Sequence, residues 1–272
     1  MSVRVAVAGA TGRMGQSIAK AVAQSEGLTL SHLGTYSGSS ADGRSVAELL
    51  GMVVENVEVV TDPANLAEAD VVIDFTLPEA TLANAAACAA RGTPMVIGTT
   101  GFSADQLERL EAITLEIPIC RAANFSTGVT LAYRLIELAA EVMGVDADIE
   151  IAETHHRNKI DAPSGTALAM GEVIAGVRGV PLDTIADYDR SSRREPRRAG
   201  SLGFSVSRLG DVVGDHTVSF GSDSERLEIT HKASSRDAFA LGALKAARWL
   251  VTKPSGCYDM NDVLGLARSG HE

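Results

Sequence analysis

Residues 153–168 read ETHHRNKIDAPSGTAL, and the five positions from His155 to Lys159 carry four basic side chains. Imidazoles exchange protons near neutral pH, and clustered imidazolium, guanidinium and ammonium groups hold carboxylates. Behind the cluster the chain turns at Pro163. Ser164 then suits the N-cap of a helix whose first amides, those of Gly165 and Thr166, offer an anion site. A solvated basic turn is the plain alternative. So dense a cluster in a chain of net charge −11, beside an anion site, favours proton transfer and carboxylate binding instead. His155 and His156 are adjacent, with no HExxH pattern or Cys/His set, so no metal is expected.

A second constellation opens the chain: Gly9, Ala10, Thr11, Gly12, Arg13, Met14 and Gly15 follow a short apolar run and lead into a helical pattern. A pyrophosphate needs close backbone approach and free amides at a helix N-terminus, and side chains at Gly9 and Gly12 would block it. An ordinary glycine turn is the alternative, and the strand-turn-helix context argues for a dinucleotide. Gly98, Thr99 and Thr100 lie after a later predicted strand, and Ala122, Ala123, Asn124 and Phe125 after another. Both are small-residue loops that could face the same crevice, or simply serve as turns. After the second strand the chain reads Leu33, Gly34, Thr35, Tyr36, Ser37, Gly38, with no carboxylate for a ribose hydroxyl and no arginine for a 2′-phosphate. Asp42 and Arg44 follow in a loop, so NADH and NADPH both stay open.

These loops need strands and helices to hold them. Apolar runs at Val3 to Ala8, Leu28 to Leu33, Val57 to Val60, Val71 to Phe75, Met95 to Ile97 and Ile117 to Ala122 read as strands. Helical patterns lie between several of them, over Met14 to Val22, Pro78 to Arg91 and Ala104 to Leu115. This alternation predicts a doubly wound parallel sheet. Beyond it lie a helix over Thr130 to Met143, a strand over Asp148 to Thr154 and a helix over Ala167 to Ala175. Arg190 to Arg198 reads as an exposed loop. Runs at Leu202 to Arg208, Val212 to Phe220 and Leu227 to His231 read as strands without intervening helices, hence a second α+β domain on a mixed sheet. A last helix over Asp237 to Leu250 can return to the first domain. The expected division is 1–126 with 236–272 for dinucleotide binding, and 127–235 for substrate binding and oligomerisation.

The chain's 272 residues, 45% of them hydrophobic and 4% aromatic, suit one large or two modest domains. The acidic balance argues against nucleic acid and anionic membrane as partners. No apolar run reaches the roughly 20 residues of a membrane span, and MSVRVAVAG reads as a strand rather than a leader. Cys88, Cys120 and Cys257 form no CxxC pair, which suits reduced thiols and a cytoplasmic location. Cys88 falls mid-helix and Cys120 in an apolar strand, poor settings for the nucleophile of a semialdehyde dehydrogenase.

The sequence resembles the 4-hydroxy-tetrahydrodipicolinate reductases (dihydrodipicolinate reductases) from end to end. The resemblance is carried by GATGRMG at the start, GTTG near 98, AANFS near 122, ETHHRNKIDAPSGTAL, GDVVGDHTVSF near 210 and RLEITHKASSRDAFA near 226. It implies a Rossmann domain completed by the C-terminal segment, an inserted substrate domain whose sheet forms a homotetramer, and hinges that close the two. It implies reduction of a cyclic dicarboxylate by NADH or NADPH in lysine and diaminopimelate biosynthesis. Catalytic roles fall on His155 and Lys159, and substrate binding on His156, Gly165 and Thr166. Cofactor binding falls on Gly9 to Met14, Gly98 to Thr100 and Ala122 to Phe125. Many relatives carry an acidic residue or an arginine where this chain has Thr35 and Tyr36. Another Rossmann oxidoreductase would leave the basic cluster unexplained, and a dinucleotide-sensing regulator would want a DNA-binding element that this acidic chain does not show.

Overall fold

The computed structural model describes residues 2–36, 38–39 and 44–266; Ser37, Asp42 and residues 267–272, which enter the readings above, lie outside the described residues. The chain divides into two compact units, Met1–Thr127 with Asp237–Glu272, and Gly128–Arg236.

In the first unit, strands and helices alternate: β1 (Val3–Ala8), α1 (Arg13–Ala23), β2 (Leu28–Gly34), α2 (Val46–Leu50), β3 (Glu58–Val60), α3 (Pro63–Leu66), β4 (Val71–Asp74), α4 (Pro78–Arg91), β5 (Met95–Ile97), α5 (Ala104–Ile113) and β6 (Pro118–Arg121). The second unit follows with α6 (Thr127–Met143), β7 (Asp148–His155), α7 (Gly165–Arg178), α8 (Leu182–Ile185), β8 (Ala186–Asp187), β9 (Leu202–Arg208), β10 (Gly214–Gly221) and β11 (Arg226–Ala233). The chain then returns to the first unit as α9 (Asp237–Leu250), β12 (Gly256–Tyr258) and α10 (Met260–Leu264).

The first sheet has the order β12-β6-β5-β4-β1-β2-β3, with every pairing parallel. Its central strands are buried on both faces. Val5, Val7, Ile73 and Val96 pack under α1 and α9, while Ala6, Ala8, Val72 and Met95 pack under α3, α4 and α5. The strand order reverses between β1 and β4, where a doubly wound sheet opens its ligand crevice. Two glycines bring helices onto backbone there: a Cβ at Gly15 would lie 2.1 Å from the Gly9 carbonyl oxygen, and one at Gly242 1.7 Å from that of Phe125.

The second sheet, β11-β10-β7-β9-β8, is mixed. β10 runs antiparallel to β7 and β11, whereas β9 is parallel to β7 and β8. α6 and α7 cover one face with Ile136, Ala140, Met170 and Ile174 against Ile149, Ile151, Val218 and Phe220. This alternation puts every second residue of β7 inward. The inward row runs Ile149, Ile151, Glu153, His155, so the core passes from apolar to ionisable along one strand.

Two readings of the sequence change. Residues 209–213 form a turn, with Val212 N donating to Leu209 O at 3.3 Å, so the strand starts at Gly214 rather than Val212. The 190–198 segment has no regular structure, but Arg197 is folded in. It bonds Asp148 at 3.0 Å and Glu150 at 3.3 Å and donates to the carbonyls of Ile149 and Ser201, and Arg193 pairs with the buried Asp187 at 2.6 Å. Asp148 and Glu150 on β7, distant in sequence, claim Arg197, and Asp187 on β8 claims Arg193.

Candidate active site

The predicted dinucleotide cradle is built by the ends of parallel strands. β1 stops at Gly9, whose φ of +80° suits glycine, and Gly12 N donates to Gly9 O at 2.9 Å to close the turn into α1. Gly9, Thr11 and Gly12 line a cavity of about 530 Å³ together with Gly34, Thr35, Tyr36, Phe75 and Thr76, a size that suits a cofactor site. Ala10 points away, into the core. Arg13 faces a separate cleft with Gln16, Ser17 and Lys20, and Met14 packs against the core.

The other two predicted cofactor segments act through packing. A Cβ at Gly98 would strike the Phe75 ring at 2.2 Å, and one at Gly9 would lie 2.9 Å from the Phe75 carbonyl oxygen. The ring of Phe125 is buried and lies 5.6 Å from that of Phe75. Phe75 thus touches all three predicted cofactor segments, although the sequence reading placed it only as the end of a strand. Thr99 turns its hydroxyl inward, to Asp74 at 3.1 Å and Thr81 at 2.8 Å, while Thr100 is exposed. Ala122 N donates to Ile97 O at 3.1 Å and Asn124 Oδ1 accepts from Ser126 N at 2.8 Å; Ala123 is exposed.

Asp74 is the inward surprise of β4. It is wholly buried, and its carboxylate is met by Thr76 N at 3.0 Å, the Thr76, Thr81 and Thr99 hydroxyls and the Asn84 amide at 2.7 Å. This network fastens the ends of β4 and β5 to the start of α4.

The second unit holds the basic segment. His155 ends β7 with its ring buried, and His156 and Lys159 are half-buried; Arg157 and Asn158 are exposed. Lys159 Nζ lies 2.9 Å from Asp161, whose carboxyl it draws below its ordinary value through that hydrogen bond. Ser164 caps α7 by accepting from Ala167 N at 3.2 Å. Gly165 and Thr166 open the helix, and a Cβ at Gly165 would meet open space. Tyr133, from α6, hydrogen-bonds Thr166, and burial pushes its hydroxyl up to about 12.

Three further residues surround His155. Glu153, two residues earlier on the same inward row, accepts a hydrogen bond from His155 Nδ1 and one from Ser164 N at 3.1 Å. Arg208, opposite His155 on β9, donates to both Glu153 oxygens at 3.1 and 3.2 Å. It also donates to the carbonyls of Lys159 and Asp161. His216, opposite Glu153 on β10, lies edge-on to His155 with ring centres 5.0 Å apart and bonds the Ser164 hydroxyl at 3.0 Å. Burial, then the neighbouring His155, pushes His216 down to about 4. Its signal was present in the sequence, because strand alternation puts it inward with Val218 and Phe220. Arg208 carried no such signal.

Among the described residues, Glu153, His155 and His216 are the one group whose possible metal-ligand atoms lie within 4.8 Å of one another. Glu153 and His155 are already bonded to each other, and the Arg208 guanidinium on Glu153 opposes a cation. Burial also pushes the Cys88 and Cys120 thiols up to about 12, which keeps them protonated and poorly nucleophilic.

A glycine-lined cradle at the switch point of a parallel sheet, in a chain whose other unit gathers histidines and a lysine at a capped helix, defines a nicotinamide-dependent oxidoreductase. Models of the dihydrodipicolinate reductase N-terminus and C-terminus match residues 3–125 and 128–264. A 4-hydroxy-tetrahydrodipicolinate reductase of Saccharophagus degradans is 52% identical over 98% of this chain and 100% of its own length. One from Halorhodospira halophila is 47% identical over the same shares. The solved dipicolinate-bound dihydrodipicolinate reductase from a Paenisporosarcina species superposes with a TM-score of 0.77 at 25% identity, covering 95% of this chain and 98% of that one. The chain belongs to the dihydrodipicolinate reductase family.

Proposed function

We propose that this protein reduces (2S,4S)-4-hydroxy-2,3,4,5-tetrahydrodipicolinate to tetrahydrodipicolinate, consuming one NADH or NADPH and one proton and releasing water, in lysine and diaminopimelate biosynthesis. The observation that carries this reading is the folding of residues 153–168. They set a carboxylate-bound histidine, a lysine and a serine-capped helix start within one loop. The dipicolinate bound to the Paenisporosarcina enzyme supports a cyclic dicarboxylate as ligand.

Gly9, Thr11 and Gly12 would hold the cofactor's pyrophosphate against backbone amides, with Ala10, Arg13 and Met14 shaping the turn. Gly98 to Thr100 and Ala122 to Phe125 would border the nicotinamide. That group, when bound, supplies a hydride. His156 and the first amides of α7, at Gly165 and Thr166, would grip the substrate's carboxylates. Reduction at the carbon that loses its hydroxyl leaves an enamine, and His155 or Lys159 donates the proton that completes the product. Holding both reactants in line accounts for much of the acceleration, alongside local positive charge.

The lining of the cavity at the end of β2 offers Thr35 and Tyr36, with no carboxylate among its described residues, which supports use of either NADH or NADPH. Val206 on β9 and Leu227 on β11 leave apolar surface of the second sheet exposed, which supports a homotetramer built through that sheet. Unpaired cysteines support a cytoplasmic location.

The test is a coupled assay with freshly generated substrate and each cofactor in parallel. Substrate-dependent oxidation is expected, and the two kcat/KM values give the preference. No oxidation with either cofactor, by protein that binds NADH, would sink the proposal. Light scattering during gel filtration would test the tetramer.

A further inference from the structure

His155 has two ring nitrogens with different surroundings. Nδ1 is spent on Glu153, an acceptor to every partner it has: the imidazole, the Ser164 amide and, twice over, the Arg208 guanidinium. Nε2 faces Gly214, where a Cβ would lie 2.9 Å from it. Gly214 has no left-handed φ, so its backbone does not call for glycine. What glycine supplies there is room beside Nε2. His216 from β10 lies edge-on to the ring and is held neutral by burial.

The geometry points to Glu153 as a positioning residue for catalysis: it pins a proton on His155 Nδ1, so that Nε2, beside Gly214, is the atom that exchanges a proton with substrate. This rests on the reading that His155 handles the substrate's proton. In the donating step the imidazolium gives its Nε2 proton to the substrate and becomes neutral imidazole. Its Nδ1 proton stays on the hydrogen bond to Glu153, which takes no proton. Before donation the carboxylate holds the ring through its Nδ1–H, and Arg208 keeps the carboxylate in place. The same guanidinium holds the carbonyls of Lys159 and Asp161, so one arginine sets both candidate proton donors.

Glu153→Gln separates positioning from simple support, because it keeps the shape and loses one acceptor. Its amide oxygen is held toward Ser164 N and Arg208, which leaves the NH2 group facing Nδ1. The ring is then driven to carry its proton on Nε2. Nitrogen-15 NMR of the full-length protein, at a pH where the ring is neutral, reads the tautomer directly, with the His155 signals identified by their loss in His155→Asn. Nδ1–H is expected in the native protein and Nε2–H in Glu153→Gln. In parallel, kcat should fall by about 10²-fold or more in Glu153→Gln, with KM for NADH unchanged. Gly214→Ala should lower kcat by about tenfold through crowding of Nε2 and leave the tautomer as it is.

A native ring carrying its proton on Nε2 overturns the proposal without any variant or assay. Near-native kcat in Glu153→Gln or in Gly214→Ala overturns it as well. Near-native turnover in His155→Asn overturns the underlying reading of His155 and the proposal with it, and so is told apart from a failure at Glu153 alone.

Discussion

The hydroxyl of Thr99 donates to the carboxylate of Asp74 across 3.1 Å, linking the loop after β5 to the end of β4 in a site where Asp74 is fully buried. Among the described residues, the Asp74 hydrogen bonds come from neutral donors, which offset the loss of its hydration.

Thr99→Val keeps the shape and removes the donor. It should cost roughly 1.5–3 kcal/mol, the usual worth of a hydrogen bond to a charged group, and raise KM for NADH several-fold as the 98–100 loop loosens. Urea unfolding and steady-state kinetics check the two halves. Unchanged stability would mean that the other donors close over the gap.

Lys159→Ala should lower kcat by about 10²–10⁴-fold, the range of lost proton transfer, while calorimetric binding of NADH stays as it was. Lys159→Arg keeps the charge but holds its proton too firmly to donate it, so turnover should not return. Near-normal turnover in either variant would take the proton-donor role away from Lys159.

Gly242→Ala should be destabilising although it lies far in sequence from the glycine loop and the basic segment. The new Cβ would sit 1.7 Å from the Phe125 carbonyl oxygen, so α9 must move off the core. Overpacking of this kind costs about 1–3 kcal/mol, and the urea midpoint should fall accordingly.

Stability should decline on the acid side of neutrality. Burial lowers His216 from 6.5 to about 4 and lowers His32 and His231 in the same direction. Below pH 6.5 the unfolded chain takes up protons that the folded one refuses. The stabilisation is therefore complete above that pH and is lost as pH falls toward about 4. The slope is at most roughly 1.4 kcal/mol per pH unit for His216, and His32 and His231 act in the same direction. His216→Gln should flatten the decline measured by urea unfolding at pH 7.5 and 5.

Local pattern made much of this legible. The run from Val3 to Ala8, the glycines after it and the capping Ser164 each act over a few residues, and each lies where its chemistry predicts. Asp74 was hidden inside an apolar run, because a strand buried on both faces gives no alternation to betray a polar member. Glu153 stood in the quoted motif, yet its role depends on Arg208, which is 55 residues away and meets it only through the register of β7 with β9. Phe75 was silent for the same reason: its partners Gly9, Gly98 and Phe125 come together only when parallel strands end side by side. The short elements α2, α3, α8, β8, β12 and α10 are too brief to show periodicity.

The return of α9, β12 and α10 to the first unit dictates an order of birth on the ribosome. The apolar layer under α1 includes Ala243, Leu244, Ala247, Leu250 and Met260, so it cannot close until nearly the whole chain has been synthesised. The second unit is continuous, and its core draws only on residues 132–229. The inserted unit is thus complete in the nascent chain while the earlier-made strands still wait for their last helices. A chain stopped near residue 236 would present that uncovered apolar face to chaperones and proteases.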